Sequence, residues 1–308
     1  MTGLRERLDD YLAIRRAVGF RLERSELLLT DFVAYLESEG LDTITVDAAL
    51  AWAAIPPNGM SGWHAHRLSV VRGFARHLCV IDPAHQVPPT RVFPTPKHRA
   101  TPFLYSNADI AALMAAAETF RSPLRTATLE TIVGLLAVTG LRIGEVLRLD
   151  RGDVDLDGGV VQVTNSKFGK SRLVPIHPST VDALAAYASV RDRLSPQLAN
   201  PAFFVSVAGT RLAYCNFHAA WLTMVEAAGL EARSAKCRPR PHDLRHTFAV
   251  RTLLGWYRSG ENAAVAMPRL STFLGHADPA NTYWYLTASP ELLGLVAERL
   301  EQHTGGCS

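Results

Sequence analysis

The sequence predicts a mostly α protein with a small β-sheet, an α+β chain in two parts, and three observations carry that expectation. Apolar residues recur at i, i+3, i+4 spacing over most of the 308 residues. One pair of alternating β-rich runs, 159–164 and 171–176, flanks the turn Ser-Lys-Phe-Gly-Lys and reads as a hairpin. Between the two helical regions lie Pro88, Pro89, Pro94, Pro96 and Pro102, which deny a helix and favour an extended connector. The boundaries that follow are a helical domain over 1–87, a Pro-rich basic linker over 88–102 and a second domain over 103–308.

Taken in order, four amphipathic stretches come first: 3–18 (with Leu4, Leu8, Tyr11 and Leu12 on one face), 23–39, 46–54 and 61–81. They predict a small all-helical bundle. In the last stretch Leu68, Val70, Val71, Phe74, Ala75 and Leu78 fall within one arc, leaving Ser69, Arg72, Gly73 and Arg76 opposite. That small, basic outer face suits either solvent or a DNA groove. The linker follows, and residues 91–102 carry 3 basic groups (Arg91, Lys97, Arg99) and 0 acidic ones, so these charges are either solvated or laid along a phosphate backbone. Beyond it, helices are predicted near 106–118, 123–139, 178–192, 216–228, 243–257, 268–274, 280–286 and 290–300, around the hairpin.

Composition excludes several classes. An apolar fraction of 48% with 20% charged residues describes a folded globular chain. No apolar run approaches the roughly 18 residues of a membrane span, and "MTGLRERLDDYL" lacks the apolar centre of a signal peptide, so a cytoplasmic protein with no membrane partner is expected. A net charge of +3 does not by itself announce a nucleic acid, because clustering rather than the total makes an electrostatic footprint. Cys79, Cys215, Cys237 and Cys307 lack the short spacing of zinc or redox motifs and read as reduced, structural residues. "DVDLDG" opens like a calcium loop, but its twelfth position is Thr164 where a bidentate Glu is needed. His242 and His246 stand four apart like zinc ligands on a helix, yet Arg245 would put a positive charge beside the dication. No metal is expected.

Six residues remain: Arg142 in "TGLRIGEVLRL", Lys167 in the hairpin turn, His242 and Arg245 in "HDLRH", His276 in "LGH", and Tyr285. Singly, each has an ordinary explanation as a surface pair, a solvated turn or core packing. That explanation is weaker for Lys167 and Lys170, because only four of the 32 basic residues are lysines and two of those share one turn. As an ordered set, these motifs resemble the tyrosine recombinase (phage integrase) family over nearly the whole chain. Tyr285 follows His276 by nine residues, with Thr282 three before it, as in the family's Thr-x-x-Tyr pattern. Geometry agrees that only one of two nearby tyrosines can serve: on a helix, residues two apart point about 200° from each other, so Tyr283 and Tyr285 cannot both face one phosphate. Tyr283 is then expected to pack. The ending "NTYWYLTASPELL" is similar to transposon-encoded members.

The resemblance implies a core-binding, DNA-binding domain over 1–87 and a catalytic domain over 103–308. It implies a site-specific recombinase or integrase that cleaves and rejoins DNA through a 3′-phosphotyrosyl intermediate, with no cofactor, metal or ATP. Arg142 and Arg245 would clamp the phosphate, since planar guanidinium forks match its oxygens. His242 and His276 would add hydrogen bonds, with His242 also placed to accept the phenolic proton. Lys167 would protonate the leaving 5′-oxygen and Tyr285 would attack; a phenol with a pKa of about 10 needs surrounding cations or a base to ionise. Arg72, Arg76, Arg91, Lys97, Arg99 and Lys170 are the expected DNA contacts. Leu292, Leu293, Leu295, Val296 and Leu300 form an amphipathic C-terminal helix that either packs on its own domain or, by the resemblance, docks on a neighbour in a homo-tetrameric synaptic complex. The 31 residues from Arg245 to His276 exceed a compact member's interval, and an extra loop is expected there. Two rival readings are a non-catalytic DNA-binding accessory protein of the same fold and a type IB topoisomerase-like enzyme. All six residues being present favours an enzyme.

Overall fold

The computed structural model describes residues 3–20, 22–55, 61–94, 100–164, 171–195, 200–276, 278, 280–287 and 291–294. Its contacts divide the chain into two compact units, Met1–Arg99 and Ala100–Ser308.

Among the described residues the first unit is four helices, α1 (Leu4–Ala17), α2 (Glu23–Ser38), α3 (Val46–Ala54) and α4 (Ser61–Ile81). Leu8, Leu12, Phe32, Leu36, Trp52, Phe74 and Leu78 meet in its core, so the apolar spacing of each stretch is what joins them. Thr45 starts α3, its side-chain oxygen accepting the Ala48 N–H at 3.1 Å. Trp52 is held on two sides: its indole N–H donates to Asp31, and the buried Arg67 guanidinium lies 3.7 Å from its ring centroid. Residues 88–94 turn back along α4. Arg72 donates from Nε to the Pro88 carbonyl at 2.8 Å and from Nη2 to that of Pro89 at 2.7 Å, and Phe93 packs edge-on to His64.

The second unit is mostly helical around a small sheet. It runs α5 (Asn107–Ala115), a 3-10 turn, α6 (Pro123–Thr139) and the short α7 (Ile143–Val146). Then come β1 (Val154–Asp155), β2 (Val160–Val163) and β3 (Arg172–Pro175), an antiparallel sheet in the order β1-β2-β3. In the hairpin Val160 pairs with Pro175 and Val163 with Arg172. The chain continues with α8 (Pro178–Leu194), α9 (Tyr214–Ala227), α10 (Pro241–Arg258), α11 (Ala263–Leu274), α12 (Ala280–Tyr283) and a 3-10 turn over Trp284–Thr287. α6 is the central helix, burying Leu129, Ile132, Val133 and Leu136, which is why its sequence reads apolar nearly all round. A second cluster joins α10 to α11 and includes Leu253, Leu270, Leu274, Tyr285 and Leu292.

One expectation fails here. The interval between Arg245 and His276 holds no extra loop: α10 runs on to Arg258, the chain turns at Gly260 (φ +78°), and α11 begins at Ala263. Pro268 reads as a helix start but sits inside α11. Proline there forfeits one backbone hydrogen bond, and burial of Met267 and Leu270 against α10 offsets the loss. The other difference is β1, only two residues long and too short for an alternating pattern to reveal.

Replacing Thr45 with Ala removes the α3 cap and is expected to cost the chain about 1 kcal/mol, measured by urea unfolding.

Candidate active site

The site is organised by two helix C-termini, where backbone carbonyls have no partner within the helix. α11 ends in a Schellman turn: the Gly275 N–H donates to Thr272 O at 3.0 Å and the His276 N–H to Ser271 O at 2.9 Å. Gly275 takes φ +69°, a conformation that only glycine adopts without strain. The turn presents three successive carbonyls to three arginines. Phe273 O accepts from Arg172 Nε at 2.8 Å, Leu274 O from Arg245 Nη2 at 2.7 Å, and Gly275 O from Arg142 Nη2 at 3.1 Å. α6 also closes at a left-handed glycine, Gly140 (φ +61°), but through a single bond from its N–H to Leu136 O at 3.0 Å, and its carbonyl accepts Arg245 Nη1 at 2.8 Å. Arg245 therefore bridges the negative ends of two helix dipoles, which offsets the cost of burying its charge.

Close packing makes both glycines necessary for a second reason. A Cβ on Gly140 would lie 2.6 Å from Phe248 Cδ1, and one on Gly275 would lie 2.7 Å from Arg172 Nη1. The glycines of "TGLR" and "LGH" are thus requirements of the cation cluster rather than of a flexible loop.

Glu145, at the start of α7, is the cluster's one carboxylate among the described residues, and it is buried. It accepts the Arg142 backbone N–H at 3.0 Å, Arg142 Nη1 at 2.8 Å, and Arg172 through Nη1 at 3.1 Å and Nη2 at 2.8 Å. Burial alone would push its pKa up, but the hydrogen bonds and charges of Arg172 and Arg142 prevail and hold it at about 2. It is ionised at every pH of interest.

α10 presents Arg245, His242 and His246. Burial lowers Arg245 to about 10, and the guanidinium stays charged at neutral pH. His242 is lowered to about 4 by burial and by the Arg245, Arg142 and Arg240 charges. The residue keeps an exposed face, and through it the three guanidiniums act on the imidazole. Asp243, between them in sequence, faces the other way: it is fully buried and accepts Arg240 through Nε at 2.9 Å and Nη2 at 3.0 Å.

His276 and Tyr285 complete the site. His276 Nδ1 is 2.6 Å from the Thr282 hydroxyl, itself buried, which gives the Thr-x-x-Tyr spacing a physical purpose: the threonine orients the imidazole. Burial, then Arg245, Arg142, Arg172 and His242, lower His276 to about 4. The Tyr285 ring is 2% exposed, stacked on His276 (centroids 5.9 Å apart, 26° between planes) and edge-on to His246 at 5.3 Å. Tyr283 is 51% exposed, so it faces away from the site as its position demands but does not pack. Having the 3-10 turn begin at Trp284 carries one ring inward and leaves the other in solvent.

The structure therefore brings Arg142, His242, Arg245, His276 and Tyr285 together. Lys167 and Lys170 in the hairpin turn, and Lys97 and Arg99 in the linker, lie outside the described residues. Arg72, Arg76 and Arg91 belong to the first unit; Arg76 and Arg91 are exposed, while Arg72 is engaged by the proline carbonyls. Sequence reasoning missed three neighbours. Glu145 and Arg172 carry no motif or spacing that sets them apart from ordinary surface charges in the sequence. His246 carried a signal, its i+4 spacing from His242, but that suggested zinc. Instead its ring fills the space between His242 (4.9 Å), Trp284 (5.0 Å) and Tyr285, with Nδ1 buried and without a hydrogen-bond partner among the described residues.

Comparison with known proteins agrees with this geometry. The Phage integrase family domain spans residues 104–291. A Sinorhizobium fredii protein named "Putative integrase/recombinase y4rB" is 41% identical over 308 residues, covering 98% of each chain. The tyrosine recombinase XerC of Pelotomaculum thermopropionicum is 32% identical over 251 residues, 79% of this chain and 76% of its own. Among solved structures, XerA recombinase superposes with a TM-score of 0.51 at 25% identity, covering 96% of each chain. The chain belongs to the phage integrase family, the tyrosine recombinases.

Two outcomes follow from the site's construction. Gly275→Ala places a side chain at positive φ and against Arg172; it should cost at least about 1–2 kcal/mol, a melting temperature lower by about 2–8 °C. The second concerns acid. Imidazoles that protonate near 6.5 when unfolded do so only near 4 (His242, His276) or 3 (His246, through burial and then the neighbouring His242, Arg240 and Arg245) in the fold. Over that window the unfolded chain binds more protons, so stability should fall as pH drops from 6.5 toward 4 and be unaffected by these groups above it. Melting scans across pH should show this slope, shallower in His276→Asn.

Proposed function

We propose that this tyrosine recombinase breaks and rejoins DNA by attack of the Tyr285 hydroxyl on a backbone phosphate. Arg142 and Arg245 hold the phosphate's non-bridging oxygens, His242 and His276 hydrogen-bond to it, and Lys167 serves as the acid. In the cleavage step the Tyr285 oxygen bonds to phosphorus as the bond to the 5′-oxygen breaks. The phenolic proton passes to His242, and Lys167 protonates the departing oxygen. The 3′-phosphotyrosyl ester conserves the bond energy, and a partner strand's 5′-hydroxyl reverses the step without ATP.

The observation that carries this reading is the seating of Tyr285: a buried phenol stacked on His276, two residues beyond the solvent-exposed ring of Tyr283. The cations also explain why the histidines are neutral before DNA arrives. An arriving phosphate anion raises their pKa, so His242 becomes a stronger base only once substrate is in place. A non-catalytic DNA-binding protein would gain nothing from a phenol so placed.

In this reading the first unit is the core-binding domain. Arg72, Arg76, Arg91, Lys97 and Arg99, with Lys170 of the hairpin turn, contact the DNA backbone, and the engagement of Arg72 by Pro88 and Pro89 sets the course of the chain leaving α4. Leu292 packs in the chain's own second cluster, while Leu295, Val296 and Leu300 of the segment proposed to dock on a neighbouring protomer in a homo-tetrameric synaptic complex lie outside the described residues. The ending "NTYWYLTASPELL" favours a transposon-encoded role.

A pool of duplexes carrying a nick near varied cleavage positions should yield a covalent protein–DNA adduct in EDTA. Tyr285→Phe should abolish it and Tyr283→Phe should leave it; loss in Tyr283→Phe alone would overturn the assignment. Lys167→Ala should slow cleavage, and a duplex with sulfur in place of the bridging 5′-oxygen should restore it, since a thiolate (pKa about 8.5) leaves without a proton. No restoration would remove Lys167 from the acid's role. Relaxation of supercoils without synapsis would favour a topoisomerase instead.

A further inference from the structure

We infer that Arg172 is a positioning residue for strand cleavage: by occupying both oxygens of Glu145 and the Phe273 carbonyl, it leaves Arg142 with free donors for the phosphate. The inference rests on the phosphotyrosyl reading above and adds a residue to it.

The first observation is where Arg172 lies. It opens β3, and alternation along that strand puts it on the same inward face as the fully buried Val174, while Leu173 between them is 65% exposed. A guanidinium on the inward face of a strand, its side chain only 10% exposed, is costly unless its donors and charge are matched. They are matched in one direction. Nε goes to Phe273 O, and the two terminal nitrogens take the two oxygens of Glu145 end-on.

The second observation is how little of Glu145 this leaves to Arg142. A guanidinium has five N–H donors. Arg142 spends one on Glu145 Oε1 and one on Gly275 O, with its backbone N–H on Oε2. Its Nε and one hydrogen on each terminal nitrogen remain for substrate oxygens. A buried carboxylate with no other partner would instead draw Arg142 into a two-pronged pair, withdrawing those donors from the pocket. Arg172 prevents this by saturating the carboxylate first. Three arginines against one glutamate also leave a net excess of two positive charges among these four groups, the sign a phosphodiester needs.

The third observation concerns His276. Gly275 lies so close to the Arg172 guanidinium that an added Cβ would come within 2.7 Å of Nη1 and 2.9 Å of Cζ. Arg172 thus forms the floor beneath the turn that delivers His276, and it couples the strand after the hairpin turn to the end of α11. Its Nε and both terminal nitrogens donate to protein groups, which separates its role from that of Arg142, whose Nε remains for substrate.

A four-member cycle tests this: Arg172→Met, Arg172→Lys, Glu145→Gln, and Arg172→Met with Glu145→Gln, each assayed for DNA affinity and for single-turnover adduct formation at saturating nicked duplex. Arg172→Met is expected to slow cleavage about ten- to a hundredfold with affinity changed only a few-fold. Removing the Glu145 charge in that background should recover part of the rate, because Arg142 is released. The deficit relative to the unmodified protein should also shrink as pH is lowered, since Glu145 without Arg172 takes up a proton more readily. The groups facing Glu145 and the cluster around it are Arg142 between α6 and α7, Arg172 on β3, Arg245, His242 and His246 on α10, and His276 and Tyr285 beyond α11. The same pH series on the unmodified protein accounts for the histidines. Arg172→Lys, which keeps the charge but not the fork, should give an intermediate deficit, and serves if the Met variant does not fold. Cleavage by Arg172→Met or Arg172→Lys at the unmodified rate would overturn the inference. So would a double variant no faster than Arg172→Met. Absence of any adduct with the unmodified protein would instead count against the phosphotyrosyl reading.

Discussion

The turn that ends α11 is the constraint on which the rest of the site depends. A helix C-terminus must satisfy its last carbonyls, and this one does so by giving three in succession to three arginines that come from different parts of the chain. Packing like charges together is unfavourable in water-excluded surroundings, so the cluster needs fixed negative potential that cannot move away. Backbone dipoles supply it, from α11 and from the end of α6, and Glu145 adds the one full negative charge of the cluster among the described residues. Because the carbonyls are part of the helix, the arginines are placed before substrate arrives. Pre-placed cations cost no reorganisation during reaction, which is where catalysis by electrostatics gains most.

That arrangement also determines the state of the histidines. Surrounded by guanidiniums and partly withdrawn from water, His242, His246 and His276 are neutral in the free protein. A neutral imidazole is both an available base and a hydrogen-bond partner, and the cations that suppress its protonation are the same ones a phosphate would neutralise. Recognition of the anion and readiness to accept a proton are therefore linked through one field. His276 is further held by Thr282, and the Tyr285 ring lies against both His276 and His246, so two imidazoles of the same cluster hold it in place.

Much of the fold was legible. The first unit's helices follow from apolar spacing that is nearly free of competing signals, and Leu8, Phe32, Trp52 and Phe74 meet as that spacing requires. The hairpin was legible because alternation and a polar turn coincide. Pro268 misled, since a proline is compatible with a helix start or with an interior position rescued by burial, and only tertiary packing decides. The five gathered site residues were legible through their order and motifs rather than through any single spacing. Glu145 and Arg172 were not, because a charged residue in a short strand or helix start is usually solvent-facing, and what turns these two inward is each other. The exposure of Tyr283 lay beyond a periodicity argument, which gives relative direction but not what lies on either side.

The most direct measurement is a crystal structure of the chain with orthovanadate in the site. The account predicts the anion within hydrogen-bond distance of Arg142, Arg245, His242 and His276 and in reach of the Tyr285 hydroxyl, with the Phe273, Leu274 and Gly275 carbonyls still holding their three arginines. An anion bound elsewhere, or arginines that leave those carbonyls to reach it, would contradict the claim that the end of α11 builds the site in advance.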